Sequence, residues 1–210
     1  IIDVQRGGPS TGMPTKSEQT DLLQVLYGRN GESPMPVIAA TSPTDCFDAA
    51  YNACKIALEH MTPIVLLTDA FIANGSAWKL PNIEDLPEIH PHYVTEDQKY
   101  KYTPYKRDPK TLARYWAIPG TEGYTHILGG LEKDGETGAI STDPENHDKM
   151  DHIRWNKVAR IPVPDLTVLG DKDDADLLIV GFGSTYGHLY SAMEVLRGKG
   201  HKVALAQFKY

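Results

Sequence analysis

Apolar residues in this chain fall into short runs separated by glycine- and proline-rich turns, and the period of the runs identifies the elements. Ile1–Gln5 reads as the end of a buried strand, and a turn rich in Gly and Pro follows from Gly7 to Pro14. Thr15-Lys16-Ser17-Glu18 has capping-box spacing, with Thr at the N-cap and Glu three residues on. Leu22, Leu23, Val25 and Leu26 then supply an apolar helical face, and Gly28 is the expected stop. Val37–Thr41 is a second short strand. Ser42-Pro43-Thr44-Asp45 opens a helix with Pro at N1, and Phe47, Ala50, Tyr51, Cys54, Ala57, Leu58 and Met61 recur at three- and four-residue steps. Pro63–Leu67 is a fully apolar strand that ends in Thr68-Asp69. Strand, helix, strand in this order predicts a right-handed crossover and a parallel sheet.

The periodicity fails between about Asn74 and Asp165, where prolines, tyrosines and acidic turn signals concentrate. So long an irregular segment inside an α/β chain reads as a functional or interaction arm, with a short helix near Lys149–Ala159. Leu169–Asp174 is polar and turn-rich, as a linker is. Asp174–Val180 predicts a strand, Gly181–Gly187 a glycine turn, Leu189, Ala192, Met193 and Leu196 a helical face, and Lys202–Phe208 another strand. The chain is therefore expected to hold one α/β unit over residues 1–165, with the arm at about 74–165, and the start of a second over 174–210. No internal repeat is evident. The sequence starts without Met and stops inside a strand-like run, so the expectation is a piece of a longer polypeptide.

Composition narrows the function classes. The formal net charge of −7 argues against general nucleic-acid binding. One basic stretch (Lys99, Lys101, Lys106, Arg107, Lys110) interleaves with Tyr93, Tyr100, Tyr102 and Tyr105, and reads as a solvated loop or a subunit contact. No apolar run approaches the roughly 20 residues that span a bilayer. Cys46 and Cys54 lie two turns apart on one predicted helix, roughly 12 Å at about 1.5 Å per residue, too far to bridge. They read as small buried hydrophobes in a reducing, cytoplasmic compartment, and two cysteines cannot hold a four-thiolate iron–sulfur cluster.

Several motifs invite chemistry. Gly7 and Gly12 have P-loop spacing, but Met13 stands where the phosphate-binding lysine belongs and Lys16-Ser17 comes three residues late. What survives is an arginine, Arg6, and glycine-flanked amides at a strand's carboxyl end, where open α/β sheets bind ligands. Arg6 is suited to clamp a carboxylate with two parallel N–H bonds; a surface ion pair or a helix cap is the alternative, and the residues alone leave it open. Gly181–Gly187 departs from the dinucleotide fingerprint in its third glycine, so a tight turn with Ser184 or Thr185 as N-cap is expected. His90-Pro91-His92, His126, His147 and His152 lack metal-site spacing, and proline between the first two favours rings that point apart. Asp69, at the end of a core strand, suits either a polar task in a site or a helix cap.

Asp3-Val4-Gln5-Arg6-Gly7-Gly8-Pro9-Ser10-Thr11-Gly12-Met13-Pro14-Thr15-Lys16, with Gln19 and Asp21-Leu22-Leu23, closely resembles the signature of 2-oxoacid:ferredoxin oxidoreductase alpha subunits, the 2-oxoglutarate type above all. The resemblance continues through Tyr27-Gly28, Pro63–Asp69, Asp143–His147 and Gly183–Gly187, and so covers nearly the whole chain. It implies a partial pyrimidine-binding domain of the thiamine-diphosphate type, followed by the start of a transketolase C-terminal-like domain. It implies oxidative decarboxylation of a 2-oxoacid to an acyl-coenzyme A, with electrons passing to ferredoxin through iron–sulfur clusters on other subunits. A beta subunit would hold the diphosphate through magnesium, small gamma and delta subunits are further candidate partners, and nucleic acid and membrane are not partners.

The family's substrate-binding arginine maps to Arg6, with Gly7, Gly8, Ser10 and Thr11 carried over as the turn that shapes that wall. No catalytic residue and no metal ligand is expected within this chain; the family's threonine motif and activating glutamate would lie upstream of Ile1. Alone, the chain is expected to be inactive. A non-catalytic assembly module, or a phosphate- or nucleotide-binding α/β protein, stands as the alternative. Acyl-chain preference and subunit stoichiometry are not readable from these residues.

Overall fold

The computed structural model, which describes residues 1–77 and 79–210, is mixed α/β with two three-stranded sheets. The first sheet holds β1 (Ile2–Gln5), β2 (Val37–Ala39) and β3 (Val65–Asp69), all parallel in the order β1-β3-β2. Helix α1 (Thr20–Tyr27) links β1 to β2, and α2 (Asp45–His60) links β2 to β3. Because side chains alternate along a strand, β2 and β3 feed two cores. Ile38, Ala40, Ile64 and Leu66 pack with Ala49 and Ile56 of α2, while Ala39, Val65 and Leu67 pack with Leu22 and Val25 of α1.

Small residues set how closely α2 lies on the sheet. Its inward stripe is Cys46, Ala49, Ala50, Ala53, Ile56, Ala57 and His60, at the helical three- and four-residue steps. That stripe turns Phe47 and Leu58 partly outward and leaves Cys54 exposed, so the expectation of two buried cysteines fails for Cys54.

Helix α1 starts at Thr20, not at the capping box expected from Thr15. The glycine turn claims those residues first. Gly7 N–H donates to Lys16 O, Lys16 N–H donates to Met13 O, and the Glu18 carboxylate accepts from Gly8 N–H at 3.0 Å and the Thr20 hydroxyl at 2.6 Å.

A four-residue helix, α3 (Ala70–Ala73), follows β3, and the arm then runs to α4 (Pro144–Ala159). Trp78 within that stretch lies outside the described residues. α4 is longer than the short helix expected, because Asp143 caps it by accepting from Glu145 and Asn146 N–H and Pro144 occupies the first turn. The arm is ordered by side chain to backbone bonds rather than by periodicity. Trp116 Nε1 donates to Leu58 O at 2.8 Å and Tyr51 OH donates to Pro87 O at 2.7 Å, tying it to α2.

The arm also contains a repeat that periodicity does not reveal. In Asp108–Ala113 and again in Asp134–Ala139, an Asp carboxylate accepts from the next-but-one amide and from the amide and hydroxyl of a Thr three residues on. The Thr oxygen then accepts from Ala N–H, and the Asp N–H closes on the Ala carbonyl. Both turns carry a positive φ at the fifth residue, Leu112 and Gly138. These bonds hold the Asp134 carboxyl down at about 2.

The second sheet holds β4 (Thr167–Gly170), β5 (Leu177–Phe182) and β6 (Val203–Phe208) in the order β4-β6-β5, with α5 (Tyr186–Gly198) packed on it through Met193. β5 and β6 are parallel and β4 is antiparallel to β6. Leu169 and Gly170, read from sequence as linker, therefore belong to a strand; their pairing partner lies some 35 residues downstream, at Ala204 and Leu205.

The two sheets are joined. Ala39 N–H donates to Lys209 O at 2.8 Å, Lys209 Nζ pairs with Asp45, and Tyr210 packs on the α2 face of the first core.

One feature of the arm sets a pH dependence. Lys157 of α4 is half-buried, and burial, with Arg114 and Arg107 beside it, lowers its ammonium pKa to about 8. The unfolded chain, with its lysine near 10.5, then binds more protons between about pH 8 and 10.5. The contribution of this group to stability accordingly rises across that window, and its cost is fully present below about pH 8. Lys157→Met is expected to raise stability at pH 7 by about 1–3 kcal/mol, after allowing for the lost bond to Met61 O. Urea unfolding at pH 7 and pH 10 checks this: the gain should shrink at the higher pH.

Candidate functional site

The carboxyl ends of β1 and β3 lie side by side, with Gln5 opposite Asp69. Gln5 is buried and its amide donates to Gln19 Oε1 at 3.1 Å, which ties the strand end to the approach to α1. The chain then leaves the sheet at Arg6, and Gly7 closes a small hairpin by accepting from Met13 N–H at 2.8 Å. Gly12 makes that closure possible. Its φ is +48°, and a Cβ there would sit 1.9 Å from the Gly7 carbonyl oxygen.

Arg6 projects from this hairpin into solvent. Its backbone N–H donates to Asp21 Oδ2 at 3.0 Å, but among the described residues no carboxylate pairs with its guanidinium. The side chain is neither a helix cap nor half of a surface ion pair. It lines an open cleft of about 740 Å3 with Gly8, Pro9, Ser10, Glu18, Thr20, Asp21 and Gln24.

Of the residues expected from sequence, Arg6, Gly8 and Ser10 thus share one cleft. Gly7 is buried in the hairpin behind it, and Thr11 is exposed outside the lining. Sequence reading missed Glu18 and Asp21. Both carboxylates are committed to the scaffold, Glu18 to Gly8 N–H and Thr20, Asp21 to Arg6 N–H. Hydrogen bonds from the Thr20 hydroxyl and Gly8 N–H hold the Glu18 carboxyl below its ordinary range. Asp3, on β1, is pushed up by burial and by the nearby Asp21 charge. The signal for Glu18 was present as a Glu three residues from a Thr, but it points to a loop amide instead of a helix end.

Asp69 does cap a helix: its Oδ1 accepts from Ile72 N–H at 3.0 Å. Its other oxygen accepts from the Ser184 hydroxyl, which belongs to the turn after β5. Thr185 takes the N-cap position of α5, as expected, but its side chain makes no cap bond: Thr185 Oγ1 donates to Phe182 O at 2.7 Å, and the Ser184 hydroxyl is spent across the junction between the sheets. Asp69→Ala is expected to cost about 2–4 kcal/mol, from a lost cap and two stranded donors at a buried position. Asp69→Asn should recover most of it; chemical denaturation of both variants is the check, and equal losses would rule out this division.

His90 and His92 both line one shallow cleft with His60 and Glu59; the His90 ring lies 3.7 Å from the Glu88 carboxylate and the His92 ring sits edge-on to Tyr115. Among the described residues, no group of three or more His, Cys, Asp or Glu is placed to hold a metal ion. No helix there is long and apolar enough to cross a membrane.

Comparison with known proteins gives a consistent picture. Residues 1–142 match the family described as "Pyruvate flavodoxin/ferredoxin oxidoreductase, thiamine diP-bdg". The 2-oxoglutarate oxidoreductase subunit KorA of Mycobacterium tuberculosis is 51% identical over 211 residues, covering 100% of this chain and 32% of that protein. The 2-oxoglutarate synthase subunit KorA of Methanothermobacter marburgensis is 28% identical, covering 95% and 52%. Among solved structures, the 2-oxoglutarate:ferredoxin oxidoreductase from Magnetococcus marinus with 2-oxoglutarate, coenzyme A and succinyl-CoA bound matches with a TM-score of 0.88 and 33% identity, over 99% of this chain and 36% of that one. The chain thus spans about a third to a half of the length of these relatives.

Proposed function

Since the chain belongs to the pyruvate flavodoxin/ferredoxin oxidoreductase family with its thiamine-diphosphate-binding domain, we propose that it forms part of the alpha subunit of a 2-oxoglutarate:ferredoxin oxidoreductase. The observation that carries the reading is the unpaired Arg6 guanidinium at the carboxyl end of a parallel strand. A bidentate donor without an internal partner, facing an open cleft, suits the carboxylate beside a 2-oxo group. Gly8 and Ser10 shape the wall, Gly7 and Gly12 fix the hairpin from behind, and Thr11 is a weaker member of the same turn. The two neighbouring carboxylates are tied to amides and a hydroxyl, which leaves the guanidinium free for a substrate anion.

Thiamine diphosphate supplies the nucleophile and the electron sink that decarboxylation of a 2-oxoacid requires. The cleft residues suit a place beside that cofactor, orienting the substrate, rather than a grip on its diphosphate and magnesium, which we assign to a beta subunit. Coenzyme A as acyl acceptor, iron–sulfur clusters on other subunits, ferredoxin as electron acceptor, small gamma and delta subunits and a cytoplasmic location belong to the same proposal. So does the division into a pyrimidine-binding unit and the start of a transketolase C-terminal-like unit; pairing of β4 with β6 supports drawing that boundary just before Thr167.

The test is activity of the full-length protein with its partner subunits. Methyl viologen reduction should require coenzyme A and be fastest with 2-oxoglutarate among pyruvate, branched-chain 2-oxoacids and 2-oxoglutarate. No reduction with any 2-oxoacid would favour the non-catalytic assembly module; saturable ATP binding without oxidoreductase activity would favour the nucleotide-binding protein.

A further inference from the structure

The arm forms a second pocket, of about 870 Å3 and open to solvent on one side, between Met61 at the end of α2 and the segment from Tyr102 to Leu128. Its walls include the rings of Tyr102, Tyr115, Trp116 and Tyr124. Three of these rings are fixed by their polar ends. Tyr102 OH donates to Tyr115 O at 3.0 Å, Trp116 Nε1 to Leu58 O at 2.8 Å, and Tyr124 OH to Thr95 O at 2.9 Å. With those groups satisfied inside the protein, the rings offer the cavity their apolar surface. His126 closes the set, edge-on to Tyr102 at 5.0 Å; its Nδ1 bonds the Tyr124 carbonyl, so that nitrogen carries the proton.

A surplus of positive charge gathers at one end. Arg114 lines the cavity, with its guanidinium 4.6 Å over the Tyr105 ring and one nitrogen 3.4 Å from Pro104 O. Lys157 reaches the same wall through Met61, whose carbonyl it bonds at 3.0 Å. Arg107 lies behind them, bonded to Tyr105 O and Gly135 O. The partners of these three cations are carbonyls, a ring and the Met150 sulfur. Among the described residues, Glu132 and Asp151 pair with Arg154 and His147 instead, and Glu122, the carboxylate that lines the cavity, accepts from the Tyr100 hydroxyl. Half-buried cations that repel one another and lack an ion-pair partner of their own oppose folding, and such perturbed groups cluster at functional sites.

We propose that this cavity is a binding site for a small organic anion built on a planar ring, its ring against the aromatic walls and its carboxylate or phosphate toward Arg114 and Lys157. The volume falls in the range of about 300–1,000 Å3 typical of small-molecule pockets. The aromatic walls select a ring and the cations select its charge. The cavity shares no lining residue with the Arg6 cleft, so the result below bears on this site alone.

The test uses the full-length chain in its native complex. Titration calorimetry compares adenosine 5′-monophosphate and indole-3-acetate, which carry ring and charge, with adenosine and indole, which lack the charge, and with phosphate and acetate, which lack the ring. At least one ring-bearing anion should bind saturably, about tenfold or more tighter than its neutral and ring-free counterparts; which one binds separates a nucleotide phosphate from an aromatic carboxylate. Arg114→Gln and Lys157→Met should each weaken it about tenfold or more. Lys157→Met is expected to be more stable than the parent chain, so its loss of binding cannot be ascribed to unfolding. The proposal fails if no ring-bearing anion outbinds its counterparts, if Lys157→Met leaves the affinity unchanged, or if soaked crystals place the probe elsewhere.

Discussion

Arg6→Ala in the assembled enzyme is expected to raise the KM for the 2-oxoacid by about 30- to 100-fold and leave thiamine diphosphate affinity unchanged. Removing one partner of a hydrogen-bonded charge pair typically costs about 2–5 kcal/mol. The low end of that range, about 2–2.7 kcal/mol, applies here, since the Arg6 side of the cleft is open to solvent. If the carboxylate is held equally in ground and transition states, the loss falls on KM and spares kcat. Arg6→Lys should recover the charge but not the planar fork, and lie between the two. The side chain has no carboxylate partner inside the described residues, so the melting temperature should not move. An unchanged KM at unchanged stability would remove Arg6 from the substrate site.

Gly12→Ala is expected to disable the same site without replacing any residue that lines it. An added Cβ falls 1.9 Å from the Gly7 carbonyl oxygen and 2.9 Å from its carbon, in a conformation with φ at +48°. Neither neighbour is a flexible side chain, so the hairpin must open. The Met13 to Gly7 bond breaks first, and with it the constraint that holds Arg6, Gly8 and Ser10 in one cleft. A cost of about 2–4 kcal/mol is expected for a strained backbone with a lost buried bond. Because misplacement by about 1 Å can cost on the order of a hundredfold in rate, kcat/KM should fall even in molecules that remain folded. Urea unfolding together with steady-state kinetics separates the two effects. Full activity in this variant would show that the hairpin does not position the site.

The contrast between these residues indicates what sequence can carry. β2, α2 and β3 were legible because their signals are local: an apolar run, a three- and four-residue stripe, a Pro at the start. Glu18 was misread because its partner, Gly8, lies ten residues back and belongs to a turn. Ser184 was misread because Asp69 is 115 residues away. The end of β4, Leu169 and Gly170, was taken as linker because a short edge strand ending in Gly and followed by Asp resembles a turn until its pairing is known. The arm defeated periodicity for a different reason: its order rests on Asp and Thr side chains bonding nearby amides, twice over, and such turns leave no apolar rhythm. Arg6 was singled out as a ligand candidate by its place after a strand and by resemblance. Its freedom from internal carboxylates, on which the proposed role depends, exists only in three dimensions.

The contact that closes the outer edge of β2 has a consequence for biosynthesis. Lys209 pairs with Asp45 across 164 residues, and its carbonyl accepts from Ala39. At translation rates of about 5–20 residues per second, β2 waits on the order of ten to thirty seconds for that partner. During this interval its edge is an unpaired strand, open to pairing with a neighbouring nascent chain. Ribosomes spaced closely on one message would therefore be more prone to entangle this protein than its finished stability suggests. Slowing initiation, or supplying a chaperone that shields strand edges, should improve soluble yield more than any substitution in the completed core.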